Sequence, residues 1–290
     1  MTLEVIMYII FMKKLLFIHW NIIRDNGNYI VLPCQDLHFS LLKRYGSLFD
    51  EVLVILHIDN IHDIVSIHSC KVDFDKIFKN KVHFKVEKNT PNCDNTTFEK
   101  YFLPIVNKVP NEYSVVYYIH NKGITHDFTV SMKLWIASLY YYNFERFNEH
   151  CQYLEDDTVV VGGPMFAGQL DVSKFNTIRF SNNSEPFSID WHFTGSFYGI
   201  SPNNLFLYCK RENIEIPYRI NGNVEMHFPS FVKKEFVKTD SLCKEIALIK
   251  DENGHLLPEI NPYLTFSTMI QDNDMIDIDT INTLAKNDKS

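Results

Sequence analysis

The chain lacks the glycine-rich loops that most nucleotide-binding α/β proteins use to cradle phosphate. Neither G-x-G-x-x-G nor G-x-x-x-x-G-K-[ST] occurs in its 290 residues, which argues against a dinucleotide fingerprint, a P-loop and a methyltransferase-type loop. Cysteine is sparse. Cys34, Cys70, Cys93, Cys151, Cys209 and Cys243 are scattered, and no C-x-x-C or Cys/His cluster has zinc-like spacing. Spacing alone therefore gives no structural metal, and free thiols in a reducing compartment are the expectation. Basic charge is also short: Lys and Arg number 28 against 36 Asp and Glu, for a net charge of -8. Such a surface is ill suited to nucleic acid, whose binding is dominated by phosphate neutralisation, although a local basic pocket can still hold one small phosphate group.

Long apolar runs are missing as well. Val5–Met12 is too short to span a bilayer, and Glu4 precedes it where a signal peptide needs positive charge. A start at Met12 would put Lys13 and Lys14 before Leu15–Ile18, but that stretch runs straight into polar residues and suits a buried strand. The expectation is a cytoplasmic protein with no integral membrane segment.

What is present is ordinary globular composition, 46% hydrophobic and 22% charged. The length predicts one large α/β domain over 12–237 and a C-terminal extension, 238–290, partly disordered where it turns acidic from Asp272. Strands are predicted at Lys14–Trp20, Glu51–Ile58, Lys81–Glu87, Tyr113–Ile119 and Thr158–Val161. Asp190–Ile200 reads as one strand carrying two glycines. Helices are predicted at Asp36–Leu48, from Thr96 or Thr97 to Val106 with a kink at Pro104, as one long element over Thr129–Leu154, and at Asn203–Arg211. This order argues for a mostly parallel mixed sheet flanked by helices.

Two segments stand out chemically. His120-Asn121-Lys122-Gly123 follows the strongest strand, at the carboxyl edge where open α/β sheets bind ligands. Lys122 offers a compact positive charge, His120 a hydrogen-bond donor, and Gly123 room for close backbone approach; a plain polar turn is the competing reading. Trp191-His192-Phe193-Thr194-Gly195-Ser196 supplies aromatic stacking surface and polar groups for a sugar ring, with a bulged core strand as the alternative. His19 and Trp20 end the first strand and Asp59 follows the second, where a nucleobase or ribose would sit; a structural strand end is the competing and commoner reading for each. General-base catalysis needs a carboxylate; Asp190 is preferred and Glu225 is second, while Glu155-Asp156-Asp157 reads as a solvated turn.

In combination, Tyr117-Tyr-Ile-His-Asn-Lys-Gly-Ile124 resembles the Y-x-H-T/S-K-G signature of a glycosyltransferase-like family related to rhamnan-synthesis proteins. Trp135 and Tyr140–Tyr142 fill the places of that family's following helix. Val159–Gly163 fills its glycine-bearing strand, His192-Phe-Thr-Gly-Ser-Phe-Tyr-Gly199 its H-F-S-G-N-F-W-W block, and Glu225 its later acidic residue. The blocks keep their order over about residues 14–232. The resemblance implies a GT-A-like, Rossmann-like fold, a UDP-, GDP- or dTDP-sugar donor and a glycan or polysaccharide acceptor. A non-catalytic carbohydrate- or nucleotide-sugar-binding protein on the same fold is the alternative. Asn121 replaces Thr or Ser, Tyr198-Gly199 replaces the paired Trp, and no Asp-x-Asp follows the Tyr113–Ile119 strand. Metal use is thus open between Mn2+ or Mg2+ and a metal-independent route in which His120 or Lys122 supplies the charge.

Overall fold

Alternation along the first strand organises the molecule. In the computed structural model, which describes residues 12–121, 130–163, 165–170, 189–193, 196–220, 224–225, 227–239 and 246–247, β1 spans Lys13–Asn21. Leu16, Ile18 and Trp20 enter one core, while Leu15 and Phe17 enter another. A strand covered on both faces requires such an uninterrupted apolar run with a period of two. The strand β6 (Tyr113–His120) repeats the pattern, with Val115, Tyr117 and Ile119 on the first side and Val116 and Tyr118 on the second.

The main sheet has seven strands. β5 (Val82–Lys88), β4 (Glu51–Ile58), β1 and β6 run parallel in that spatial order. Next comes β10 (Tyr198–Ile200), antiparallel to both β6 and β7 (Val160–Gly162), and β11 (Val237–Thr239) lies parallel to β7 at the edge. Helices α1 (Pro33–Tyr45), α2 (Ile64–Phe78), α5 (Val130–Tyr140) and α6 (Phe147–Glu155) supply the first core. The second is covered by α3 (Cys93–Thr97), a π-helical turn at Phe98–Phe102, α4 (Leu103–Val106) and α7 (Pro202–Glu212). This is the mostly parallel mixed sheet flanked by helices that the sequence predicts. A small sheet of β12 (Ile246–Ala247), β8 (Met165–Leu170) and β9 (Ile189–Phe193) stands beside it. A hairpin of β2 (Ile23–Asp25) and β3 (Asn28–Ile30) turns on Asn26 and Gly27, both at positive φ, as an Asn-Gly hairpin turn requires.

Three expectations are corrected. Thr129–Leu154 is not one helix. It widens into a π turn at Tyr141–Glu145 and breaks at Arg146, while buried Asn143 donates to Leu139 O (2.7 Å) and Gly163 O (2.8 Å). Asp190–Ile200 is not one strand, because β9 belongs to the small sheet and β10 to the main one, with Ser196 between them at φ 54. Helix α2 was not anticipated. Asp63 caps it by accepting from Ser66 N at 3.1 Å, and Ile67, Cys70, Phe74 and Phe78 form its buried stripe. No helix among the described residues is long and apolar enough to cross a membrane.

Candidate functional site

Parallel pairing brings three strand ends together. His19 is in register with Ile55 and His120, and Asn21 with His57. His19 and His57 project from the sheet on the α3 side, since Phe17 and Ile55, two residues earlier, do so. Their rings stack at 4.3 Å and 11°. The fully buried His19 places Nε2 3.0 Å from Asp94 Oδ1, 3.8 Å from Cys93 Sγ and 3.5 Å from Asn21 Nδ2. Burial would pull this imidazole down, but hydrogen bonds to Asp94 and Cys93 outweigh it and push it up to about 9. His57 goes the other way, to about 4, through burial and the neighbouring His19 charge. Its Nε2 lies 2.5 Å from Thr97 Oγ1.

An amide frame holds the end of β1. Asn121 Oδ1 accepts from Asn21 N and Asn121 Nδ2 donates to Asn21 O, both at 3.2 Å, while Asn121 N donates to His19 O. Gln35 Nε2 donates to the same Asn21 carbonyl at 2.8 Å. The last residue of β1 is thereby fixed by side chains from α1 and from just past the end of β6, and His19 by the Asn121 backbone.

Below this frame, fully buried Tyr118 stacks on Phe17 and Tyr198 and meets Phe98 and Phe102 edge-on. Its hydroxyl has no hydrogen-bond partner among the described residues. Burial, reinforced by the charges of Asp94, Cys93 and Glu225, holds the phenol proton far more tightly than usual. Glu225 lies close enough to Tyr118 to add to that effect. Val224 O, one residue earlier, accepts from Tyr198 OH at 3.3 Å.

The aromatic-glycine segment reaches this edge through β10. Because β10 runs antiparallel to β6, with Tyr198 opposite Tyr118, its start lies beside the end of β6. Phe197 approaches the His120 ring at 6.4 Å, and Ser196 is buried there. Gly199 answers a packing need: a Cβ on it would sit 2.6 Å from the Tyr117 ring.

The strand ends thus gather His19, Asp59, His120 and Asn121, with Ser196 and Glu225 nearby. Asp59 is exposed and accepts from Asn89 Nδ2 at 3.2 Å, tying the ends of β4 and β5 together. Trp20 is instead a core residue. It follows His19 and so faces the opposite side, packed on Phe39 and Phe74. Trp191 is also core, its Nε1 donating to Val232 O at 2.9 Å. Asp190 and His192 are placed by backbone, in β9. Lys122, Gly123, Thr194 and Gly195 lie outside the described residues.

Asn21, His57, Cys93, Asp94 and Tyr118 were not singled out by sequence reasoning. The available signal was positional: the Asn89–Asn95 turn follows a strand parallel to β4, so it had to emerge at the same carboxyl edge.

Fold and site together define an α/β protein with a mostly parallel mixed sheet and a polar cluster at the carboxyl edge of its parallel strands. No protein-family model and no curated protein matches the chain. Among solved structures it is similar to 4-diphosphocytidyl-2C-methyl-D-erythritol synthase from Anaerococcus prevotii, at 10% identity and a TM-score of 0.35, over 89% of this chain and 99% of that one. A likeness of that degree adds nothing to the topology already described.

Proposed function

We propose that the protein is a glycosyltransferase that binds a nucleotide-diphosphate sugar at the carboxyl ends of β1, β4 and β6 and transfers the sugar to a glycan or polysaccharide hydroxyl. The observation that supports this most is the antiparallel entry of β10. It brings the aromatic-glycine segment to the edge where His120 ends β6, so the two segments that carry the family resemblance meet. In this reading His120 and Lys122 contact the diphosphate and Asp59 the nucleoside. His192, Thr194, Gly195 and Ser196 receive sugar or acceptor. Asp190 serves as general base, with Glu225, whose neighbour Val224 accepts from Tyr198 OH, the second candidate.

A divalent ion would neutralise the departing diphosphate. Mg2+ and Mn2+ favour oxygen ligands, yet the metal-ligating group found among the described residues is His19, Cys93 and Asp94. That donor set does not fit those ions, and no step is assigned to them.

Calorimetric titration with UDP-, GDP- and dTDP-sugars, with and without manganese, tests the reading; binding of none of them overturns it. Lys122→Ala is expected to weaken donor binding by roughly 10- to 100-fold, the worth of a charge-assisted hydrogen bond, and unchanged affinity removes Lys122 from the site. Donor turnover separates a transferase from a binding protein on the same fold.

A further inference from the structure

We propose that His19, Cys93 and Asp94 form a binding site for a borderline-soft divalent cation of the zinc class. The imidazole nitrogen, the thiol sulfur and a carboxylate oxygen lie within 4.8 Å of one another. Individual separations are 3.0 Å for His19 Nε2 to Asp94 Oδ1, 3.8 Å for His19 Nε2 to Cys93 Sγ and 4.0 Å for Cys93 Sγ to Asp94 Oδ1. Zinc bonds of about 2.0–2.3 Å at tetrahedral angles put neighbouring ligand atoms about 3.3–3.7 Å apart. Shifts of a few tenths of an ångström in two adjacent side chains close that difference.

Several features mark this as a built site rather than a chance meeting. His19 is fully buried at the end of a central strand, its ring locked against His57 and its backbone carbonyl held by Asn121. Cys93 Sγ also faces Asn21 Oδ1 at 3.9 Å. Tyr118, fully buried on the same side of the sheet, has a hydroxyl with no hydrogen-bond partner among the described residues. The Asp94 side chain is 48% exposed, which leaves an entry path.

A thiolate and an imidazole select zinc-class ions over Mg2+, Ca2+ and Mn2+. Three protein ligands leave the fourth position to water or a substrate oxygen, the pattern of a zinc site that does chemistry rather than one that only braces the chain. On binding, the cation takes the place of the imidazolium and thiol protons, which pass to solvent. The proposal stands apart from sugar transfer, since it needs neither donor nor acceptor.

Metal-stripped full-length protein titrated with Co2+, without nucleotide, provides the test. One equivalent should bind with thiolate-to-cobalt charge-transfer absorption that Zn2+ abolishes and excess Mg2+ does not. Cys93→Ser should remove that absorption and Cys209→Ser should keep it. Asp94→Asn, which keeps the side chain's size and an oxygen to bond His19, should weaken Co2+ at least about 10-fold, the lower bound for disturbing even an outer-shell group. Absence of the absorption, its persistence in Cys93→Ser, or unchanged affinity in Asp94→Asn would overturn the proposal. The nucleotide-sugar titrations read out separately, so either idea can fail alone.

Discussion

The two faces of the central sheet end differently at the carboxyl edge. On the first, Trp20 is closed in by Phe39 and Phe74, with His38 against its ring edge, and His38 Nδ1 lies 2.9 Å from Tyr140 OH. On the second, one residue away, His19 meets a carboxylate, a thiol and an amide, and Tyr118 leaves a hydroxyl unpaired. Interiors pair their polar groups, and unpaired ones mark a place where packing has been subordinated to something else. Both faces leave buried polar atoms without a partner among the described residues, Trp20 Nε1 and His150 Nε2 on the first, His19 Nδ1 and Tyr118 OH on the second; what differs is that the second gathers an imidazole, a thiol and a carboxylate at one point.

That contrast can be broken most forcefully at Trp20. Trp20→Ala should destabilise the fold by about 3–5 kcal/mol, as truncation of a buried aromatic does, measured by urea unfolding, while its folded fraction keeps donor affinity. A stable Trp20→Ala protein that no longer binds donor would place Trp20 in the cleft after all.

Acid sharpens the same comparison on the first face. His150 is buried, hydrogen-bonds with Tyr117 through Nδ1, and is pulled down to about 4 by burial. Its folded value lies below the unfolded one of about 6.5, so the unfolded chain takes the proton first as pH falls. Stability is therefore complete above about pH 6.5 and declines towards about pH 4, by roughly 3 kcal/mol from this residue. Buried His227, pulled down to about 3, adds in the same sense. Denaturation midpoints across that range check the slope, and His150→Gln should flatten it.

The smallest effect belongs to Asn121→Ala, which removes two hydrogen bonds to the Asn21 backbone. It should cost about 1–3 kcal/mol in urea unfolding and also weaken donor binding, because the end of β1 loses its frame. Loss of stability with full donor affinity would make Asn121 purely structural.

How much of this was legible beforehand depends on distance along the chain. β4 and β6 are nearly continuous apolar and β-branched runs, a signal contained in eight residues each. Helix α2 was hidden because Ile64 and Val65 open it while remaining exposed, at 76% and 77%, which blurs the apolar stripe just where a reader looks for its start. Trp20 was assigned beside His19 because both end a strand, although alternation sends them to opposite faces. The thiol of Cys93 could not be connected to His19 by spacing, since 74 residues separate them and only parallel register and the α3 turn bring them together. Lys122 and Thr194 carry expectations that fall outside the described residues.

The pairing of Tyr198 with Gly162 has a consequence for how such a protein can diversify. The chain departs from β7 and returns into β10 at one shared anchor, and on the way Trp191, Phe193 and Phe197 are buried in the two cores. Ring closure grows only logarithmically with contour, about 0.6 kcal/mol for each doubling. Length added between those buried anchors is thermodynamically cheap, whereas replacing Trp191, Phe193 or Phe197 removes part of the cores beneath.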